Sequence, residues 1–137
     1  MVDDSSTVLD ILSQILRSIG VRGRIDIARN GIEAWEKIQN NDYDVVISDV
    51  SMPQMDGLEL KNLLRSSPKF ARLPFLIISG EVSESVMAAA VTSSSDSYLC
   101  KPFSSVALKA ELKQLAKKAD SKNINEINNE GPGSTGV

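Results

Sequence analysis

The chain has 137 residues and a net charge of −3, with 42% apolar and 24% charged residues, one cysteine and no histidine. That length and composition suit one globular domain with a core of ordinary size. Without histidine there is no Ser-His or Cys-His nucleophile pair and no His-ligated metal, and the mildly acidic balance makes no electrostatic case for nucleic acid. The lone cysteine can form no intrachain disulfide, which fits a reducing compartment and a cytoplasmic protein. No run of about 18 apolar residues is present, so no membrane span is expected, and no leader segment is expected ahead of the fold.

Met1-Val2-Asp3-Asp4 opens the chain with two adjacent acids. Ser5 or Ser6 can cap a first helix with an apolar stripe of Val8, Leu12, Ile15, Leu16 and Ile19, ended by Gly20. Arg24–Ala28 alternates, with Ile25 and Ile27 on one face, and is expected to be a short strand near a sheet edge. Asn30-Gly31 turns into a second helix over Ile32–Gln39, with Trp35 and Ile38 facing the core. Tyr43–Val50 is apolar with almost no alternation, the pattern of a parallel strand buried on both faces, and it carries Asp49 at its end. Ser51, Met52 and Pro53 stop that strand, and Asp56-Gly57 is a turn signal.

A third helix is expected over Leu58–Ser66, with Leu60, Leu63 and Leu64 inward, broken by Ser67-Pro68. Phe75–Ser79 is a second continuous apolar strand, ending on a hydroxyl. Ser83–Val91 is expected to be helical, with Val86, Ala89 and Ala90 as small inward residues. Ser97–Cys100 is a short strand followed by Lys101-Pro102-Phe103. Ser104 or Ser105 caps a last helix to about Ala119, with Leu108, Leu112, Leu115 and Ala119 as its stripe. Residues 120–137 turn rich in Asn, Gly and Ser and are expected to be a disordered tail or linker, leaving 1–119 as the folded unit. Strand and helix in repeated alternation imply an α/β, doubly wound parallel sheet.

Parallel strands share one carboxyl edge, where open α/β sheets place their chemistry. Asp3, Asp4, Asp49, Ser79 and Lys101 all fall at that edge. Three carboxylates together repel and call for a cation, and oxygen-only ligands favour Mg2+. Lys101 offers a positive charge and Ser79 a donor, the groups that neutralise a phosphoryl group in transfer. Asp49 is the natural nucleophile for an aspartyl phosphate.

Four motifs in order, V-D-D-S at Val2–Ser5, V-V-I-S-D-V-S-M-P-Q-M-D-G-L-E-L at Val45–Leu60, L-P-F-L-I-I-S-G-E at Leu73–Glu81 and Y-L-C-K-P-F at Tyr98–Phe103, make the chain resemble a response-regulator receiver domain of two-component signalling, of the chemotaxis single-domain type. The resemblance covers about Val2 to Ala119. It implies a flavodoxin-like (βα)5 receiver fold, with strand order 2-1-3-4-5. It implies that Asp49 is the phosphoacceptor and that Asp4, Asp49 and the backbone carbonyl of Ser51 ligate Mg2+. It also implies that Asp3 orients the metal's waters, that Ser79 and Lys101 bind the phosphoryl group, and that Lys101-Pro102 is cis. Ser79 and Tyr98 resemble the hydroxyl-aromatic switch. The implied partners are a histidine kinase or phosphotransfer protein as donor, and a downstream protein on the face of the last two strands and helices. No nucleic acid or membrane partner is expected, nor enzymatic activity beyond the domain's own phosphorylation and dephosphorylation.

Two other classes compete. An aspartyl-nucleophile phosphohydrolase of haloacid-dehalogenase type resembles a strand ending D-x-D, and Ser51 at the second position argues against it. A degenerate structural receiver is opposed by the intact Asp49, Ser79 and Lys101. Only Met1 and Val2 stand where the family's first strand lies, and a strand needs roughly five residues. The first strand is therefore expected to be truncated, with Arg24–Ala28 unable to reach Val45–Ser48 and the sheet incomplete.

Overall fold

Polar side chains set where the first three helices begin. Ser5 Oγ accepts from the Val8 amide at 3.4 Å, Asn30 Oδ1 from Glu33 at 2.8 Å, and Asp56 Oδ1 from Glu59 at 2.8 Å. Each satisfies an amide that a helix start leaves without a partner. The structure, a computed structural model, describes residues 1–3, 5–50, 55–80 and 84–130, with side chains to residue 117. The elements in chain order are α1 (Ser6–Ser18), α2 (Gly31–Asn40), β1 (Val46–Asp49), α3 (Gly57–Arg65), β2 (Phe75–Ser79), α4 (Glu84–Ala90), β3 (Asp96–Cys100) and α5 (Ser105–Glu130). Gly20, at φ +100°, takes the left-handed conformation that ends α1. Ser104 Oγ accepts from Ala107 and so caps α5.

β1, β2 and β3 form a parallel sheet in that order, with Val46 opposite Phe75 and Ile77 opposite Tyr98. Alternate residues of the apolar strands enter two cores. Val46, Phe75 and Ile77 pack with Ala34, Leu60 and Leu64 of α2 and α3. Ile47, Leu76 and Ile78 pack with Leu12, Leu16, Leu108 and Leu115 of α1 and α5. Helices therefore cover both faces, which is why β2 is buried at every position and reads as an unbroken apolar run. Among the described residues no helix is long and apolar enough to cross a membrane.

The amino terminus closes the gap that the sequence left open. Val2 N donates to Ile47 O at 2.7 Å and Asp49 N to Val2 O at 2.9 Å. On the other side Ala28 N donates to Met1 O at 2.9 Å and Asp3 N to Ala28 O at 3.0 Å. Three residues thus bridge the Ala28 segment to β1, in the order expected for a doubly wound receiver sheet. The expected incompleteness is corrected here, because hydrogen bonds on both edges of Val2 join the two segments. The strand expected over Arg24–Ala28 is also corrected: among the described residues only Ala28 forms a bridge, and the ladder stops there because the chain beside it begins at Met1, whose amine reaches Asp26 O at 2.9 Å.

Three helical expectations change. α3 buries Leu60, Lys61 and Leu64, with Leu63 half-buried. α4 buries Ala90 alone, and Ala89 is exposed. The backbone of α5, expected to end at about Ala119, stays helical past the composition change at Asp120 as far as Glu130.

Asp96, at the start of β3, is fully buried and accepts from Arg65 Nε at 2.9 Å and Nη2 at 2.6 Å. Burial alone would raise its carboxyl, but the Arg65 hydrogen bonds and charge, the Thr92 amide and the Lys61 charge outweigh it and hold the group below the usual carboxylate range. A depressed folded-state pKa means that this stability is present above the unfolded value and lost as pH falls through the folded one. Asp96→Asn, which leaves the buried Lys61 and the half-buried Arg65 short of a countercharge, is expected to lose roughly 3 kcal/mol at neutral pH. That deficit should shrink below about pH 4. Thermal melts of both proteins from neutral to acid pH check this, and a deficit constant down to acid pH contradicts it.

Candidate functional site

Because the strands run parallel, Asp3, Asp49, Ser79 and Lys101 sit at one sheet edge. Asp49 ends β1, Ser79 ends β2, Lys101 follows β3, and Asp3 follows the bridging Val2. The Lys101 ammonium lies 3.3 Å from Asp49 Oδ1 and 3.8 Å from Asp3 Oδ2. Asp3 is almost wholly buried, and its other oxygen accepts from the Ser5 amide at 2.9 Å. Two carboxylates this close repel, and the ammonium between them offsets that repulsion. The Lys101 amide donates to Ser79 O at 2.7 Å, tying the Lys to the end of β2, and the Lys101-Pro102 bond is cis. Ser79 is buried, and Tyr98 is half-buried against the core on the α2 and α3 face.

Asp4 and Ser51, expected as metal ligands, lie outside the described residues. Among the described residues no three His, Cys, Asp or Glu side chains gather as a metal site. Asp3 and Asp49 supply hard carboxylate oxygens at one point, a donor type that fits Mg2+.

Two residues with no role at the site legible in the sequence pack against the Asp49 backbone. Ser48, fully buried, donates its hydroxyl to Asp49 O at 2.9 Å. Gly57, the first residue of α3, donates its amide to Val50 O at 2.9 Å, and a Cβ there would lie 2.2 Å from Asp49 O. The D-G pair is legible as a turn, but a close approach between residues eight apart leaves no mark on composition.

A parallel sheet with helices on both faces, and two acids and a lysine converging at its carboxyl edge, defines the class of doubly wound acidic-site domains. The chain belongs to the response-regulator receiver domain family, whose pattern matches residues 1–113. It is 36% identical over 113 residues to the chemotaxis protein CheY1 of Helicobacter pylori, covering 82% of this chain and 90% of that protein. The solved chemotaxis protein CheY4 of Vibrio cholerae is similar at 31% identity and TM-score 0.74, covering 83% of this chain and 93% of that one. The response regulator TrrA of Thermotoga maritima, solved with Mg(2+)-BeF, is similar at 30% identity and TM-score 0.72, covering 83% and 94% of the two chains.

Proposed function

We propose that this chain is a phosphorylatable switch of a two-component phosphorelay in which Asp49 accepts the phosphoryl group. The observation that carries the reading is the Lys101 ammonium within 4 Å of both Asp49 and Asp3 carboxylates at the sheet edge. An Asp49 oxygen forms the new bond to phosphorus while the donor's P–N or P–O bond breaks and the leaving group departs with its electron pair. Lys101 neutralises charge on the phosphoryl oxygens and holds Asp49 in place, and Ser79 supplies a hydroxyl from the next strand. Asp4, Asp49 and the Ser51 carbonyl would hold Mg2+ and Asp3 would orient its waters; the ion, when bound, would neutralise phosphoryl charge.

The donor is a histidine kinase or phosphotransfer protein. The reporting surface is that of α4, β3 and α5, where Met87, Val91 and Val106 are exposed and Tyr98 is half-buried. The switch unit is residues 1–119, and 120–137 serve as a linker.

The test is intact mass after incubation with acetyl phosphate and Mg2+. The protein is expected to gain the mass of one phosphoryl group and Asp49→Asn to gain none, because the amide keeps the shape and lacks the nucleophile. A variant that gains the same mass would overturn the assignment.

A further inference from the structure

Lys61 is among the largest fully buried side chains of the described residues, and nothing in the phosphoryl chemistry uses it. Its ammonium donates to Ala89 O at 2.5 Å, to Ala90 O at 2.9 Å and to Thr92 Oγ1 at 3.1 Å. Three donors thus meet three acceptors. Asp96 Oδ2, 3.6 Å away, supplies the countercharge and also accepts from the Thr92 and Ser93 amides at 3.0 and 2.9 Å. The last carbonyls of a helix need partners, usually found through a left-handed glycine just beyond its end. α4 is followed by Val91, and the ammonium of a neighbouring helix stands in.

We propose that Lys61 is a positioning residue that latches the carboxyl end of α4 to α3, so that α4 occupies discrete positions set from the Asp49 loop. α4 has seven residues and buries only Ala90, so apolar packing holds it weakly. Apolar contact is non-directional and yields gradually. A buried ammonium either keeps its acceptors or loses them, and losing them is expensive. α3, which carries Lys61, starts at Gly57 against the Asp49 carbonyl. One rigid helix therefore connects the candidate phosphorylation site to the last turn of α4 and, through Asp96, to the start of β3. The latch rests on the geometry alone, and its role in switching rests on the function proposed above.

Lys61→Met keeps most of the stem's volume and removes the three donors. In amide hydrogen exchange of the unmodified full chain, protection over residues 87–91 is expected to fall by about tenfold, with Ile77 and Ile78 in β2 unchanged. With beryllofluoride and Mg2+, the wild type is expected to change its exchange over 84–92, while the variant changes only near Asp49. Exchange within twofold of wild type over 87–91, or an equal fall in β2, overturns the latch. If Lys61→Met does not fold, Thr92→Val removes one acceptor and is expected to raise exchange over the same residues about threefold. No rise there overturns the proposal equally. A wild type that ignores beryllofluoride counts against the switch reading alone, and the comparison without ligand still decides the latch.

Discussion

Gly57→Ala is expected to lower the melting temperature by roughly 5–15 °C and to slow phosphorylation of Asp49 at least about tenfold. Gly57 is buried, and a methyl there would sit 2.2 Å from Asp49 O, 3.1 Å from Asp49 C and 3.0 Å from Ser48 Oγ. The closest obstacle by far is the Asp49 carbonyl, whose oxygen and carbon both crowd the methyl and which no rotamer change can move aside. Either α3 backs away, stretching the Gly57 to Val50 bond, or the Asp49 peptide turns. Overpacking of this kind typically loses about 1–3 kcal/mol and occasionally more. Turning that peptide also displaces the Asp49 carboxylate from Lys101, and small misplacements of a nucleophile carry large rate penalties. Gly80→Ala is the control, because a methyl there meets nothing within 4 Å. Thermal melts and acetyl phosphate kinetics read both variants, and equal behaviour of the two would dispose of the close-approach account.

What the sequence made legible and what it hid divide by physical cause. β1 and β2 are legible because burial on both faces demands unbroken apolar runs, and the ends of those runs place Asp49 and Ser79 at one edge. The caps at Asn30 and Asp56 work through local bonds three residues long, although Asp56-Gly57 reads as a turn when it is the start of α3. The Met1–Asp3 bridge is hidden because it pairs through backbone alone, and two or three residues show no period. Arg24–Ala28 misleads in the opposite sense, since Ile25 and Ile27 alternate where no ladder forms. Lys61 is hidden because a lysine beside a leucine stripe reads as solvated surface, and its partners lie 28 to 31 residues further on. In α4 the small alanines carry no signal for which one points inward. At the site, residue type and strand ends suffice for Asp3, Asp49 and Lys101, whereas the Ser48 and Gly57 supports of Asp49 depend on three-dimensional approach.

Adding about four apolar residues ahead of Met1 is expected to raise the melting temperature by roughly 5–10 °C at pH 6 and to remove the pH dependence of stability expected of the 137-residue chain between pH 6 and 8. In line with Met1–Asp3, a cleft of ≈ 360 Å³ lies between the 21–26 segment and residues 41–45, with Ile25, Val45, Ile47 and Leu112 among its walls. An extended segment running into Met1 would cover those side chains and continue the two backbone ladders. The α-amino group donates to Asp26 O at 2.9 Å. Burial lowers its pKa from 8.0 to about 6, with Asp26 opposing the shift and Lys37 adding to it. Between those values the unfolded chain binds more protons than the folded one, so stability rises with pH across the window and is lowest below about pH 6. Two pKa units correspond to at most about 2.7 kcal/mol. The chain has no histidine to blur this range. The extension replaces a partly buried ammonium with an uncharged amide, so the gain should be larger at pH 6 than at pH 8. Holding Asp3 more firmly should also sharpen Mg2+ binding in a calorimetric titration. Melts of both chains at the two pH values decide the matter: an extended chain with the same melting temperatures and the same slope would show that neither the cleft nor the amine limits stability.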